Sequence, residues 1–205
     1  MERQEHWEQV YRLKDTSQVS WFRPHLELPL AIVERVAPHR SAAIVDMGGG
    51  SSTFVDDLLE RGYSNLTVVD ISQAALDISM RRCGGAAASV QWLCADATLV
   101  ELPERHFDVW HDRAVFHFLT GHADRINYLE RASLAVKPGG HLIVSTFGPD
   151  GPLKCSGLDT MRYSAASLCA EFGPRFHLEE SWLESHRTPF GTDQQFLCCH
   201  FRRED

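Results

Sequence analysis

The sequence predicts an α/β fold: a doubly wound sheet of seven strands, mostly parallel, with an antiparallel C-terminal strand and an N-terminal helical lid. Three observations carry that expectation. Short β-branched runs alternate with amphipathic segments between residues 42 and 147, the pattern of parallel strands joined by helical crossovers. A triple glycine follows the first run, in Val45-Asp46-Met47-Gly48-Gly49-Gly50-Ser51-Ser52, where a buried strand must turn tightly into a helix. Finally, strand-like runs at 176–184 and 194–202 are separated only by residues 185–193, too few for a helical crossover, so they pair antiparallel.

Taken in order, residues 2–14 read as a short helix with Trp7, Val10, Tyr11 and Leu13 forming a partial apolar stripe. Polar residues 15–20 break it before Trp21-Phe22-Arg23-Pro24. The aromatic side chains of this region read either as staples onto the core or, for Trp21 above all, as a lid over a ligand. Residues 25–37 form a second helix carrying Leu26, Leu30, Val33 and Val36 on one face, closed by Pro38. Strands follow at 42–46, 66–70, 90–94, 107–111 and 141–147, with helices at 52–61, 73–82 and 123–136 between them. Residues 84–88 read as a loop, and Lys137-Pro138-Gly139-Gly140 as a turn from helix to strand. Residues 148–157 form a loop and 165–172 a helix before the terminal hairpin. The division expected is one domain over 1–205: a helical lid at 1–40, a cofactor-binding core at 41–147, and a substrate loop, helix and hairpin at 148–205.

At 205 residues the chain suits one domain that buries roughly 70% of its unfolded surface. A net charge of −8 and the lack of any dense Lys/Arg block exclude a nucleic-acid partner, which needs a basic face. The six cysteines show no metal-ligand spacing, so no metal is expected; Cys94, Cys198 and Cys199 lie in apolar runs as small core residues. The polar N-terminus, with no run of membrane-spanning length, predicts no membrane association and a cytoplasmic location.

The glycine turn alone is a weak signal. Asp70 strengthens it by ending the next apolar run about twenty residues further on, where a carboxylate accepts hydrogen bonds from a ribose diol. The turn departs from G-x-G-x-x-G because Thr53 stands at the third glycine position, and Asp46 before it would repel a pyrophosphate but suits an ammonium. Asp96, after the third strand, is placed to bond the exocyclic amine of adenine. A ligand bearing a sulfonium, an ammonium, a ribose and an adenine fits three carboxylates better than one bearing two phosphates.

These residues resemble the class I, seven-strand (Rossmann-like) S-adenosylmethionine-dependent methyltransferases. Val45-Asp46-Met47-Gly48-Gly49-Gly50-Ser51 is similar to the family's first motif and Val69-Asp70-Ile71-Ser72 to its second; Ala95-Asp96-Ala97, Phe107-Asp108-Val109 and Lys137-Pro138-Gly139-Gly140-His141-Leu142 follow in family order. His6-Trp7-Glu8, Ser20-Trp21-Phe22, Trp110-His111-Asp112-Arg113-Ala114-Val115-Phe116-His117 and Lys154-Cys155-Ser156-Gly157-Leu158 are similar to a bacterial subgroup of undefined acceptor. The resemblance implies S-adenosyl-L-methionine as cofactor and S-adenosyl-L-homocysteine as product. It implies that Gly48, Gly49 and Gly50 admit the methionine part, Asp46 holds its ammonium and Asp70 takes the ribose. Ile71 would pack on the adenine, Asp96 and Ala97 contact its edge, Trp21 cover the ligand, and His111 lie beside the methyl.

Methyl transfer from a sulfonium is an in-line displacement that needs positioning, dryness and, for some acceptors, a base. His111, Asp112, Arg113 and His117 are the densest ionisable group near the end of the fourth strand and are the catalytic candidates, an Asp–His pair being able to act as base; the alternative is an Asp112–Arg113 ion pair and a core histidine. Residues 154–157 read as a substrate loop in which Cys155 has a loop role in preference to a nucleophilic one, Lys154 or Arg162 is placed to pair with an acidic acceptor, and 186–190 read either as a pocket edge or as a solvated turn. A small-molecule acceptor is expected, because no basic face or added substrate domain is present. Two alternatives stand beside it: a protein lysine or amine N-methyltransferase, and a non-catalytic S-adenosylmethionine-binding subunit or sensor.

Overall fold

A computed structural model describes residues 3–205. The lid helix expected at 2–14 is α1 (Arg3–Leu13); its predicted first residue, Glu2, lies outside the described residues. α2 (Glu27–Val36) precedes the core. There β1 (Ala43–Met47), α3 (Phe54–Glu60), β2 (Asn65–Asp70), α4 (Gln73–Cys83), β3 (Val90–Cys94), β4 (Phe107–Arg113), α5 (His122–Ala135) and β5 (Val136–Phe147) keep the predicted alternation. A two-residue-a-side hairpin, β6 (Lys154–Cys155) and β7 (Leu158–Asp159), then leads through α6 (Ala165–Phe172) to β8 (Phe176–Arg187) and β9 (Asp193–Arg203).

The main sheet has seven strands in the order β3-β2-β1-β4-β5-β9-β8. Pairings are parallel from β3 through β5, whereas β9 runs antiparallel to both β5 and β8, so it alone opposes the rest. Strand order reverses between β1 and β4. There the crossovers leave to opposite sides and open a crevice at the strands' C-terminal ends. Each face of the sheet carries its own apolar layer. Phe54, Leu58, Val109 and Ile143 pack with Leu30 and Val33 of α2 on one side, and Trp110, Phe116, Tyr128, Phe172 and Phe201 pack on the other.

Several local expectations are corrected. Residues 84–89 coil into a 3-10 turn, and the fourth crossover helix stops at Ala135 because Val136 already pairs with Phe107. The predicted turn at 137–140 is therefore part of β5, at a register slip opposite Phe107 and Val109. The loop expected at 148–157 contains β6, with Ser156 and Gly157 in the left-handed region at its corner. Cys198 and Cys199 are buried as expected, but Cys94 is exposed because it ends the edge strand of the sheet.

Asp112 is also corrected, from candidate base to structural acceptor. Its carboxylate accepts from the N–H groups of Val115 (2.9 Å) and Phe116 (3.2 Å) and from the Tyr128 hydroxyl (2.6 Å), which itself accepts from the Trp110 indole (2.9 Å). No bond joins it to Arg113, whose guanidinium donates instead to the Trp21 carbonyl at 2.8 Å. The carboxylate thus closes the turn after β4, where Ala114 is held at φ 74°, a conformation costly for a residue with a Cβ. Asp112→Asn would face three donors with an amide that can accept through only one atom. Loss of about 2–3 kcal/mol in denaturant unfolding is the expected result, and unchanged stability would refute the structural role.

Candidate active site

The crevice at the end of β1, β2 and β4 is one continuous cavity of about 1020 Å³, counting its mouth. Its floor is the glycine turn, anchored where Gly48 and Gly49 donate to the Val69 carbonyl (2.7 and 3.1 Å). Glycine is required here by its neighbours. A Cβ on Gly49 would collide with Asp46 Oδ2, and one on Gly50, which has φ 36°, would lie 2.6 Å from Asp70 Oδ2. Gly50 itself backs the wall, its carbonyl accepting from Ser79 at 2.6 Å, and it does not line the cavity.

Asp46 and His111 are register partners on β1 and β4, and both are buried. The Nδ1–H of His111 donates to Asp46 Oδ1 at 2.7 Å while its ring lies 4.0 Å from that of Phe54. A carboxylate can only accept, so this bond places a proton on Nδ1, and in the neutral ring Nε2 then carries the lone pair. Asp46 Oδ2 and His111 Nε2 are both buried without a hydrogen-bond partner among the described residues, and both side chains line the cavity. The Asp–His pair expected at residues 111–117 therefore exists, with Asp46 in the acid's place.

Asp70 ends β2 with Oδ1 accepting from the Ser72 N–H at 2.8 Å. Burial first, then the carboxylates of Asp46 and Glu8, push its pKa up to about 7. Ile71, Asp96 and Ala97 continue the same wall. Asp96 is more engaged than expected: Oδ1 accepts from the N–H (2.8 Å) and hydroxyl (2.7 Å) of Thr98, and Oδ2 from Arg3 at 3.3 Å.

α1 lies over this wall. Arg3 reaches Asp96 and also Asp124 (2.5 Å), while Glu8 Oε2 accepts from the Ser72 hydroxyl (2.7 Å) and the Ala74 N–H (3.2 Å), capping the first turn of α4. Trp21 packs edge-on with Trp7 at 5.7 Å and Tyr11 at 6.2 Å, and Trp7 meets Phe118 at 5.0 Å; all four rings line the cavity.

The far end is formed by Arg113, His117, Phe147, Cys155 and Phe196. His117 stacks on Phe147 at 4.2 Å, and its Nδ1 accepts from the Phe147 N–H at 3.0 Å. A backbone N–H can only donate, so the neutral ring carries its proton on Nε2, which is buried and unpartnered among the described residues. Burial, then Arg113, drive its pKa down to about 3. Arg113 is brought to about 10 by burial and by Arg23, and remains cationic at neutral pH. Of the other edge candidates, Lys154 pairs with Asp159 (3.2 Å), and His186 bonds the Ser20 carbonyl (2.7 Å). Sequence reasoning missed Arg3, Phe147 and Phe196. Only Phe147, ending a strand, carried a local signal.

A methyltransferase-domain family model matches residues 44–140, the stretch that builds the donor-side wall. That stretch is a methyltransferase domain, and the chain is similar to the class I S-adenosylmethionine-dependent methyltransferases. The chain is 24% identical to the eEF1A lysine and N-terminal methyltransferase of Mus musculus over 53% of its own length and 15% of that protein. It is 28% identical to a ubiquinone/menaquinone biosynthesis C-methyltransferase of Roseobacter denitrificans, over 57% and 47% respectively. The chain therefore spans about half or less of the length of these curated relatives. Among solved structures, the 1,6-didemethyltoxoflavin-N1-methyltransferase of Burkholderia thailandensis, with S-adenosylhomocysteine bound, superimposes with a TM-score of 0.70 at 20% identity, over 96% of this chain and 81% of that one.

The position of Asp70 has a measurable consequence. A carboxyl whose folded pKa lies above its unfolded value costs stability as pH rises between the two, here from about 4 to about 7, and Asp112, raised to about 6 by burial, adds in the same sense. Without ligand, stability should fall across that range and level off above it. Asp70→Asn should flatten the fall and melt above the parent protein at pH 8 but not at pH 4; an equal difference at both pH values would refute the assignment.

Proposed function

We propose that the chain transfers a methyl group from S-adenosylmethionine to a small-molecule acceptor. The observation that carries this reading is the pair of buried, unpartnered acceptors, Asp46 Oδ2 and His111 Nε2, beside a glycine turn that no Cβ could enter. Two acceptors converging on one place suit a group with several N–H donors and a positive charge, which is the ammonium of the methionine part. Asp70 then meets the ribose hydroxyls, Ile71 the adenine face, and Ala97 with Asp96 the adenine edge, in the order in which those groups occur in the molecule. S-Adenosylmethionine supplies an activated methyl on a sulfonium, so no protein nucleophile is required. The protein's work is alignment and exclusion of water. Trp7, Tyr11 and Trp21 supply both, and their π faces favour a cation. The same aromatic cap supports a small acceptor over a lysine side chain presented by a protein, because α1 and Trp21 cover the cleft.

Calorimetry tests the donor. Asp70→Ala and His111→Ala should each weaken S-adenosylmethionine binding by about tenfold or more, the scale of one or two hydrogen bonds to charged or buried groups. Unchanged affinity in both would refute it. Glu8→Ala tests the lid: losing two bonds to α4 should speed S-adenosylhomocysteine release in stopped-flow by roughly tenfold, whereas an unchanged off-rate would mean that α1 does not gate the cleft.

A further inference from the structure

Taking the donor assignment above as given, we infer that the acceptor is an acid: a small molecule with an apolar or aromatic body whose nucleophilic atom is an anion when it attacks. The inference rests on what the far end of the cavity offers. Its polar groups are donors. His117 presents Nε2–H with no partner among the described residues, its other nitrogen being committed to the Phe147 N–H. Arg113 holds a buried positive charge over the Phe196 ring at 4.9 Å and, among the described residues, donates a hydrogen bond to the Trp21 carbonyl alone. Around these two groups the walls are apolar: Phe147 and Phe196, 4.9 Å apart, with Cys155, Trp21, Ala114 and Phe118 packed on them.

Among the described residues, the titratable groups facing this end offer an acceptor no base. His117 is neutral and already protonated at the nitrogen without a partner. Cys155 lies near the Ser20 hydroxyl (3.8 Å) and is held as a thiol by burial. Behind Arg113, Arg23 pairs loosely with Glu184 (3.8 Å) and donates to His186 (3.2 Å), whose remaining nitrogen meets the Ser20 carbonyl. Asp112 is consumed by the turn after β4. The one imidazole with a lone pair, His111, belongs to the ammonium seat with Asp46. An ammonium acceptor would need a base to free its lone pair and would meet a buried guanidinium on arrival. An anion needs no base, and both the cation and the N–H donor favour it.

The step balances without a proton. The acceptor anion's electron pair forms the bond to the methyl carbon, the carbon–sulfur bond breaks with its pair passing to sulfur, and a sulfonium and an anion become a neutral thioether and a neutral methylated product. Charge disappears in the transition state, so a dry, apolar wall accelerates the step.

The test is a labelled-methyl assay on the full chain over matched aromatic and alkyl probes, comprising thiols, carboxylic acids, acidic phenols and primary amines of equal size, with S-adenosylmethionine affinity measured alongside by calorimetry. Turnover confined to the acids is expected, with the pH midpoint of kcat/KM moving with each acceptor's own ionisation. His117→Ala should lower kcat/KM at least tenfold while leaving S-adenosylmethionine affinity within twofold. Comparable turnover of the amines, a pH midpoint fixed whatever the acceptor, or no turnover of any acid by protein that binds S-adenosylmethionine would each overturn the inference. Failure to bind S-adenosylmethionine would instead overturn the donor assignment.

Discussion

Two buried carboxylates, Asp46 and Asp70, stand near the C-terminal ends of neighbouring parallel strands with the backbone of Gly49 and Gly50 close against them, and the rest of the cleft depends on that crowding. Like charges this deep are unfavourable unless something compensates. Within the chain the compensation is partial: a His111 N–H for Asp46, and for Asp70 a Ser72 N–H and a pKa raised by burial. The site is therefore built to lose stability so as to hold polar groups ready for a partner carrying positive charge and hydroxyls. That is the usual bargain at functional sites.

Two histidines on the same stretch of chain acquire opposite polarity from their second nitrogen. His111 gives its proton to a carboxylate and turns a lone pair to the cavity, whereas His117 receives a backbone N–H and turns a proton to it. Six residues apart in sequence, they mark the two halves of the cleft, one accepting and one donating. Asp46 of β1, Asp70 of β2 and His111 of β4 build the accepting half, and Arg113 at the end of β4 with His117 in the turn beyond it builds the donating half, so β4 serves both.

The strand alternation, the antiparallel finish and the glycine turn were legible because each rests on local pattern: β-branched runs, a gap too short for a crossover, and a turn with three residues lacking Cβ. Asp46, Asp70 and Asp96 line the cavity because they stand at or just after the ends of strands that face one crevice, and Trp21 lines it from the segment before α2. Asp112 misled because sequence shows that a carboxylate is present and not what it touches. Its partners Tyr128 and Trp110 are reached only after α5 packs on the sheet. Phe196 escaped notice for a similar reason, since β9 reaches the cleft only by inserting between β5 and β8. Arg3, the first described residue, touches positions about a hundred residues away, and no periodicity announces that.

The fastenings of α1 differ in kind. At its N-terminal tip, Arg3 is held to Asp96 and Asp124 by Coulomb attraction between side chains about a third exposed, with relative exposures of 33%, 23% and 36%. One turn and a half further on, Glu8 is held by short-range hydrogen bonds to the start of α4. The helix is thereby tied to two separate parts of the cleft rim, the wall after β3 and the start of α4 after β2, so it cannot swing aside without giving up an ion pair and a helix cap together.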